Sequence, residues 1–228
     1  PAMALALVLG WSPALVPVEA PPLLNSPVFS LATLGADGRT TMNMLTYATP
    51  ISVRPERLWA ISLFRDTQSH ANWQRRGTGV LQQLSAAQAP LTPVLGGTSS
   101  ADEGVDKAAA CAVLGWEWAE GGECGEEQLL PGCLSYVRLV QLGELIDAGG
   151  HELAICKLER TFGQAEADEP AARGLALSTA ELRRAGLITA AGRAVRTRTH
   201  ACACTGLRTR PQRDGAPLSL SWHAAMLR

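Results

Sequence analysis

No stretch of the 228-residue chain is apolar for long enough to span a bilayer. The nearest approach, "AMALALVLGW" at 2 to 11, is too short, and Pro13 and Pro17 interrupt the residues after it. An excess of one charge is missing too. Twenty Lys and Arg against 21 Asp and Glu leave a net charge of -1, so nothing points to a polyanion or an acidic membrane surface as partner. Neither nucleic acid nor a membrane is expected. None of Asn25, Asn43 and Asn72 opens a glycosylation sequon. The six cysteines (Cys111, Cys124, Cys133, Cys156, Cys202 and Cys204) contain no Cys-x-x-Cys pair. In a chain too large to need stapling, reduced thiols are the expectation. "GTG" at 77 to 79 lacks the third glycine of a dinucleotide fingerprint, and no Gly-x-Ser-x-Gly elbow or Walker lysine occurs.

What is present, 46% hydrophobic and 18% charged residues, suffices for one large domain. The expected division is an irregular lead over 1 to 24, a domain over 25 to 195 and a tail over 196 to 228. "VEA" at 18 to 20 loosely resembles a small-residue cleavage site, but no basic n-region precedes it. The chain begins at Pro1, which leads to the expectation that the natural start lies upstream. A cytoplasmic or organellar stromal compartment is expected.

"PVFSLATL" (27 to 34) suits a strand, and "ADGR" (36 to 39) carries the Asp-Gly signal of a tight hairpin. The return strand starts at Thr40 and is expected to run to Pro50, which marks a bulge, an edge or a strand end. Arg54 and Pro55 make a second turn. "LWAISLF" (58 to 64) then reads as a strand buried on both faces. "SHANWQRRG" fits a short helix capped by Asp66 or Thr67 and closed at Gly77, with the strand "GVLQQL" after it. Prolines limit "AQAPLTPVLGG" to short turns, and the second half of "ADEGVDKAAACAVLG" holds helix formers. The acidic stretch 117 to 127 reads as a solvated loop. "CLSYVRLVQLGELID" and "HELAICKLERTF" are two long strands joined by "AGG". Ser178 and Glu181 have the spacing of a capping box for a late helix ending at Gly186. Many strands with hairpin turns and short helices predict a mainly β fold, an antiparallel barrel with helical decorations. Beyond residue 196 the Arg-rich pattern predicts disorder. His200, Cys202 and Cys204 there lack the gap of a zinc knuckle, so no metal site is expected.

"LWAISLFRDTQSHANW" (58 to 73) raises a chemical question, because its apolar run ends in Arg65, Asp66, Thr67, Ser69 and His70. A strand passing into a helix through such residues offers a guanidinium, hydroxyls and free backbone N–H groups, which suit a phosphate monoester. The competing reading is a plain cap with a solvated Arg65.

The wider segment "MNMLTYATPISVRPERLWAISLFRDTQSHANW" (42 to 73) resembles the flavin reductase-like, FMN-binding split-barrel family. The matching positions are Asn43, Thr46, Tyr47, Thr49, Pro50, Ser52, Pro55, Ser62 and the Arg65 to His70 loop. Weaker likeness continues in "TGVLQQL", in Asp106 and Lys107, and in "GGHELAICKLE". The resemblance implies an antiparallel split β-barrel, bound FMN, NAD(P)H as a transient reductant and a homodimer. Implied flavin neighbours are Asn43, Thr46, Tyr47, Ala48 and Thr49 along the ring, then Ser62, Leu63, Phe64, Arg65, Thr67, Ser69 and His70 toward the phosphate. Trp59 and Trp73 are expected to pack rather than stack. A histidine at the place of His151 lies near the rings in that family and can steer a substrate or assist a proton. Gly150 departs from it, standing where an aspartate is common. Lacking a Rossmann fingerprint, the chain would bind nicotinamide on the flavin itself. A non-catalytic flavin or haem binding barrel is the alternative.

Overall fold

An Asp-Gly turn opens the first part of the protein, as sequence chemistry requires. In the computed structural model, which describes residues 17, 22–163 and 174–195, β1 (Phe29–Leu34) and β2 (Thr40–Leu45) pair antiparallel. Their turn places Gly38 at φ 76°, a left-handed conformation that glycine adopts without a Cβ clash. The next hairpin joins β3 (Ala48–Ser52) to β4 (Leu58–Phe64). Helix α1 (Gln68–Arg76) comes after it, its Thr67 cap accepting from the His70 N–H and its left-handed Gly77 closing it. After β5 (Thr78–Gln83) come a 3₁₀ turn, α2 (Thr92–Leu95) and α3 (Lys107–Val113), then the small pair β6 (Ala119–Glu120) and β7 (Gln128–Leu129). The long strands β8 (Ser135–Ala148) and β9 (His151–Gly163) form the last hairpin. Helix α4 (Thr179–Arg184) starts in the capping box expected of Ser178 and Glu181.

The main sheet has seven strands in the order β2-β1-β5-β8-β9-β4-β3. Its two edge strands, β2 and β3, are consecutive in the chain and separated only by Thr46 and Tyr47. Three peptide units reach at most about 11 Å, so the two edges of the sheet must curl round and meet there. No ladder joins β2 to β3. The result is a barrel split along one seam, mainly β and antiparallel.

This closure corrects one expectation. The strand opened at Thr40 does not run to Pro50; it breaks at 46–47 and resumes as a strand with a different partner. Pro50 sits on the edge strand β3 beside a register shift, where its missing N–H costs no ladder bond.

Two apolar clusters explain why β1 is buried along its whole length. Phe29, Leu31, Leu45, Ile61, Leu63, Leu81, Leu139, Ala154 and Cys156 fill the barrel. Alternate residues of the same strands, Ala32, Met42 and Val80, and Val28 just before β1 face outward and are covered by Leu91, Leu95, Cys111, Leu130 and Leu182 from the helices and loops. Trp73 of α1 joins the barrel interior, fully buried, and its indole N–H donates to Gln141 Oε1 at 2.6 Å. Lys107 is buried as well, donating from Nζ to the carbonyls of Met42 and Leu95 at 3.0 Å each. Burial pulls its pKa down to about 8.

The stretch 117 to 127 is not simply a solvated loop. It contains β6 and a 3₁₀ turn, and Glu127, 2% exposed, pairs with Arg138. A buried carboxylate needs such a partner. Cys111, Cys124, Cys133 and Cys156 are free and buried. No helix among the described residues is long and apolar enough to cross a membrane. The tail from 196, with His200, Cys202 and Cys204, and most of the lead segment lie outside the described residues.

Candidate functional site

Alternation along β3, β4 and β9 sorts the candidate residues onto two faces. Phe64 pairs with His151, Ser62 with Leu153 and Thr49 with Ala60, while the Ser62 N–H donates to the Tyr47 carbonyl at 2.9 Å. Tyr47, Thr49, Ser62, Phe64 and His151 therefore share the outward face. Ala48 and Leu63 take the opposite register and pack in the barrel, Leu63 being 1% exposed. Their side chains serve the core, which leaves the backbone as their route to a ligand.

On the outward face three rings meet. The His151 imidazole lies edge-on to Tyr47 at 5.7 Å and to Phe64 at 5.2 Å. Tyr47 is 60% exposed and Phe64 54% exposed, so two large apolar rings stand in solvent at the seam of the barrel. Isolated exposed hydrophobics need no explanation, but a cluster of rings beside unpaired strand ends is the kind of surface that binds a flat ligand. The backbone there is also available: the N–H groups of Thr46 and Tyr47 bond to no backbone carbonyl among the described residues. Thr49 Oγ1 turns to the Pro50 carbonyl at 3.4 Å. Asn43, opposite Leu31 on β2, takes the barrel-facing register instead, and its buried Oδ1 has no partner among the described residues. Trp59 packs edge-on against Phe29 at 5.9 Å, as expected of a packing residue.

The bend after β4 is built differently. Asp66 occupies the left-handed region at φ 62° and turns the chain into α1. The Thr67 hydroxyl donates to the Phe64 carbonyl at 2.9 Å while accepting from His70 N–H, so it is committed to the cap. Ser69 is 1% exposed, with its Oγ unpartnered under the helix. Arg65 reaches toward the β8–β9 hairpin, its Nη2 lying 3.0 Å from Asp147 Oδ1 and 3.2 Å from Glu152 Oε1, and its backbone N–H donates to the Gly150 carbonyl. The side chains of 65, 67 and 69 thus have three separate destinations. Inside the first turn, the N–H groups of Gln68 and Ser69 have no intrahelical acceptor, as at any helix start.

Glu152 is the residue that the sequence reading missed. Its second oxygen meets His70 Nε2 at 2.7 Å and accepts from Gln74 Nε2 at 3.2 Å. The His70 hydrogen bond, with the Arg65 charge adding to it, holds Glu152 below the usual carboxylate range. The sequence carries no signal for it: 152, 154 and 156 share a face by alternation, but Leu153 and Ile155 make the other face the more apolar one, and only the fold shows Ala154 and Cys156 fully buried. A carboxylate in that register requires partners. Because Glu152 and His151 point to opposite sides of β9, Glu152 cannot replace the carboxylate missing at Gly150. His151 is positioned by rings instead.

A cavity of about 760 Å³ lies elsewhere, beside the β1–β2 hairpin and α1, with Arg39, Arg75 and Lys107 facing Asp37, Glu120 and Glu126. Opposed charges there select no ligand class. Its lining includes neither the 46–49 junction nor Arg65.

The residues present can be matched against a flavin at two ends. At the ring end they fit, since exposed aromatic rings and backbone N–H groups that meet no backbone carbonyl among the described residues suit a flat, polar-edged heterocycle. At the bend the helix start suits an anion, but the guanidinium is already shared between carboxylates.

Comparison with known proteins gives the same fold. Residues 23–186 match a family model described as flavin reductase like domain. An FMN-binding protein of Thermus thermophilus aligns with a TM-score of 0.57 at 18% identity, over 72% of this chain and 88% of that one. The NADH:FAD oxidoreductase SgcE6 of Streptomyces globisporus aligns at 0.51 with 17% identity, over 62% and 77%. A Sinorhizobium meliloti protein described as an oxidoreductase aligns at 0.53 with 15% identity over 68% of this chain, which spans only 47% of it. At these identities the likeness is one of fold. No curated protein matches the sequence.

Proposed function

The chain belongs to the flavin reductase-like family, and from that membership we propose that it is a flavin-binding oxidoreductase taking hydride from NAD(P)H. A bound flavin would supply a hydride acceptor at N5. The chain's own part is positioning and exclusion of water. FMN is the flavin the resemblance favours, with its ring along the Thr46 to Thr49 junction and against the rings of Tyr47 and Phe64. The Thr46 and Tyr47 N–H groups would meet polar ring edges, and Ser62 would line the same face.

His151 would stand where a nicotinamide approaches. Hydride transfer requires two rings held face to face, and an imidazole wedged edge-on between Tyr47 and Phe64 can steer the second ring while donating or accepting a proton at a substrate edge. The observation that carries this reading is the exposed three-ring cluster at the seam. A homodimer is part of the proposal. Ile51 and Val53, on or just past the unpaired edge strand β3, are exposed at 48% and 74%, and a second subunit would cover them and close the ring site.

The deciding measurement is quenching of flavin fluorescence on titration with the full chain, then NADH or NADPH oxidation in the presence of flavin. Quenching with turnover supports an oxidoreductase. Quenching without turnover leaves a binding protein only, and no quenching at micromolar flavin removes the proposal.

A further inference from the structure

A phosphate monoester carries about 1.5 to 2 negative charges at neutral pH, so a site that depends on it must offer uncompensated positive charge. The bend after β4 does not. Arg65 presents one nitrogen, Nη2, to both Asp147 and Glu152 at 3.0 and 3.2 Å. Asp66 places a third carboxylate in the same turn, exposed at its left-handed φ. Glu152 is further fixed by His70 at 2.7 Å and by Gln74, so it cannot swing away without abandoning three partners. An approaching phosphate therefore meets a guanidinium already shared between two carboxylates, with the exposed Asp66 next to it in the chain and the Thr67 hydroxyl spent on the cap. Remaining attraction comes from the N–H groups of the first helical turn and from Arg65 Nε, which has no partner among the described residues. The ring end carries no such conflict.

We propose that Glu152 makes this site indifferent to the phosphate of its flavin: the ring system is recognised, the phosphorylated tail contributes little, and riboflavin and FMN bind alike as exchangeable substrates. The inference rests on the flavin-binding reading and assigns Glu152 as a positioning residue that sets specificity by occupying Arg65. Replacing Glu152 by Gln keeps its shape and removes the charge, which returns Arg65 toward a phosphate.

Riboflavin and FMN are titrated separately into the full chain, wild type and Glu152→Gln, with flavin fluorescence as readout. In the wild type the two dissociation constants should agree to within about tenfold, and in Glu152→Gln the FMN constant should fall by on the order of tenfold with riboflavin unchanged. A merely structural role for Glu152 would shift both flavins together. Wild-type FMN binding more than about tenfold tighter than riboflavin, or parallel changes in the variant, overturns the inference while leaving flavin binding intact. Failure of riboflavin and FMN alike to bind removes the flavin reading and this inference with it. If Glu152→Gln does not fold, Asp147→Asn on the exposed hairpin tip carries the same test, with the same direction expected.

Discussion

Two surfaces leave the end of β4, and they are built on opposite principles. On the outward face Tyr47 and Phe64 stand more than half exposed, each edge-on to His151. Across the strand, the inner face of α1 presents Ser69, His70, Asn72 and Trp73, all buried, and three of the four are tied down. Asn72 donates to Thr33 and accepts from Gln68 and Arg75, His70 holds Glu152, and Trp73 holds Gln141. Polar chemistry was expected to mark the ligand end. In the fold most of it pins α1 against the barrel, and the apolar rings are the part left open.

That contrast can be broken or sharpened by experiment, beginning where the effect is largest. Trp73→Ala removes a fully buried indole from the barrel interior and should cost about 3 to 5 kcal/mol. Urea denaturation measures it, and a loss below about 1 kcal/mol would mean that Trp73 does not hold α1 to the barrel.

Next comes alkaline pH. Burial pushes the thiols of Cys124 and Cys133 up to about 11 and that of Cys156 to about 12. A group whose folded pKa is raised stabilises fully below its unfolded value and loses that contribution as pH climbs to the folded one. Stability should therefore fall as pH climbs from about 9 toward 12. Lys107 runs the other way: its depressed pKa makes stability grow as pH rises from about 8 toward 10.5. Cys156→Ala should flatten the alkaline decline seen in pH-dependent unfolding, and an unchanged slope would place the decline elsewhere.

Tyr47→Ala combined with Phe64→Ala tests the open surface. Both rings are more than half exposed, so the midpoint of unfolding should hardly move while flavin affinity drops by about tenfold or more. Stability lost with affinity retained would make the rings structural. The smallest effect belongs to Thr67→Ala, which should cost about 1 kcal/mol of stability as a lost cap. Flavin affinity should stay within about twofold, since the hydroxyl already serves Phe64 and His70. A large affinity change would return Thr67 to the binding surface.

Local signals were legible wherever neighbours in the chain decide the geometry. The Asp37-Gly38 turn, the Thr67 and Gly77 ends of α1, the Ser178–Glu181 box and the β8–β9 hairpin all appear where the residues place them. The outward register of Thr49, Ser62 and Phe64 comes from alternation once the strands are known. Unread were the break at Thr46–Tyr47, which exists because β2 and β3 pair with strands far away in sequence, and the order inside 117–127, which depends on Glu127 finding Arg138.

By itself, the sequence determined the hairpins, the helix ends and the family, because turn chemistry, capping and motif spacing act over a few residues. Only the tertiary structure decided which candidate residues remain free. Glu152 and Asp147 come to Arg65 from a hairpin more than 80 positions away, and a charge found by such a partner is no longer the charge that the chain, read in order, offers to a ligand.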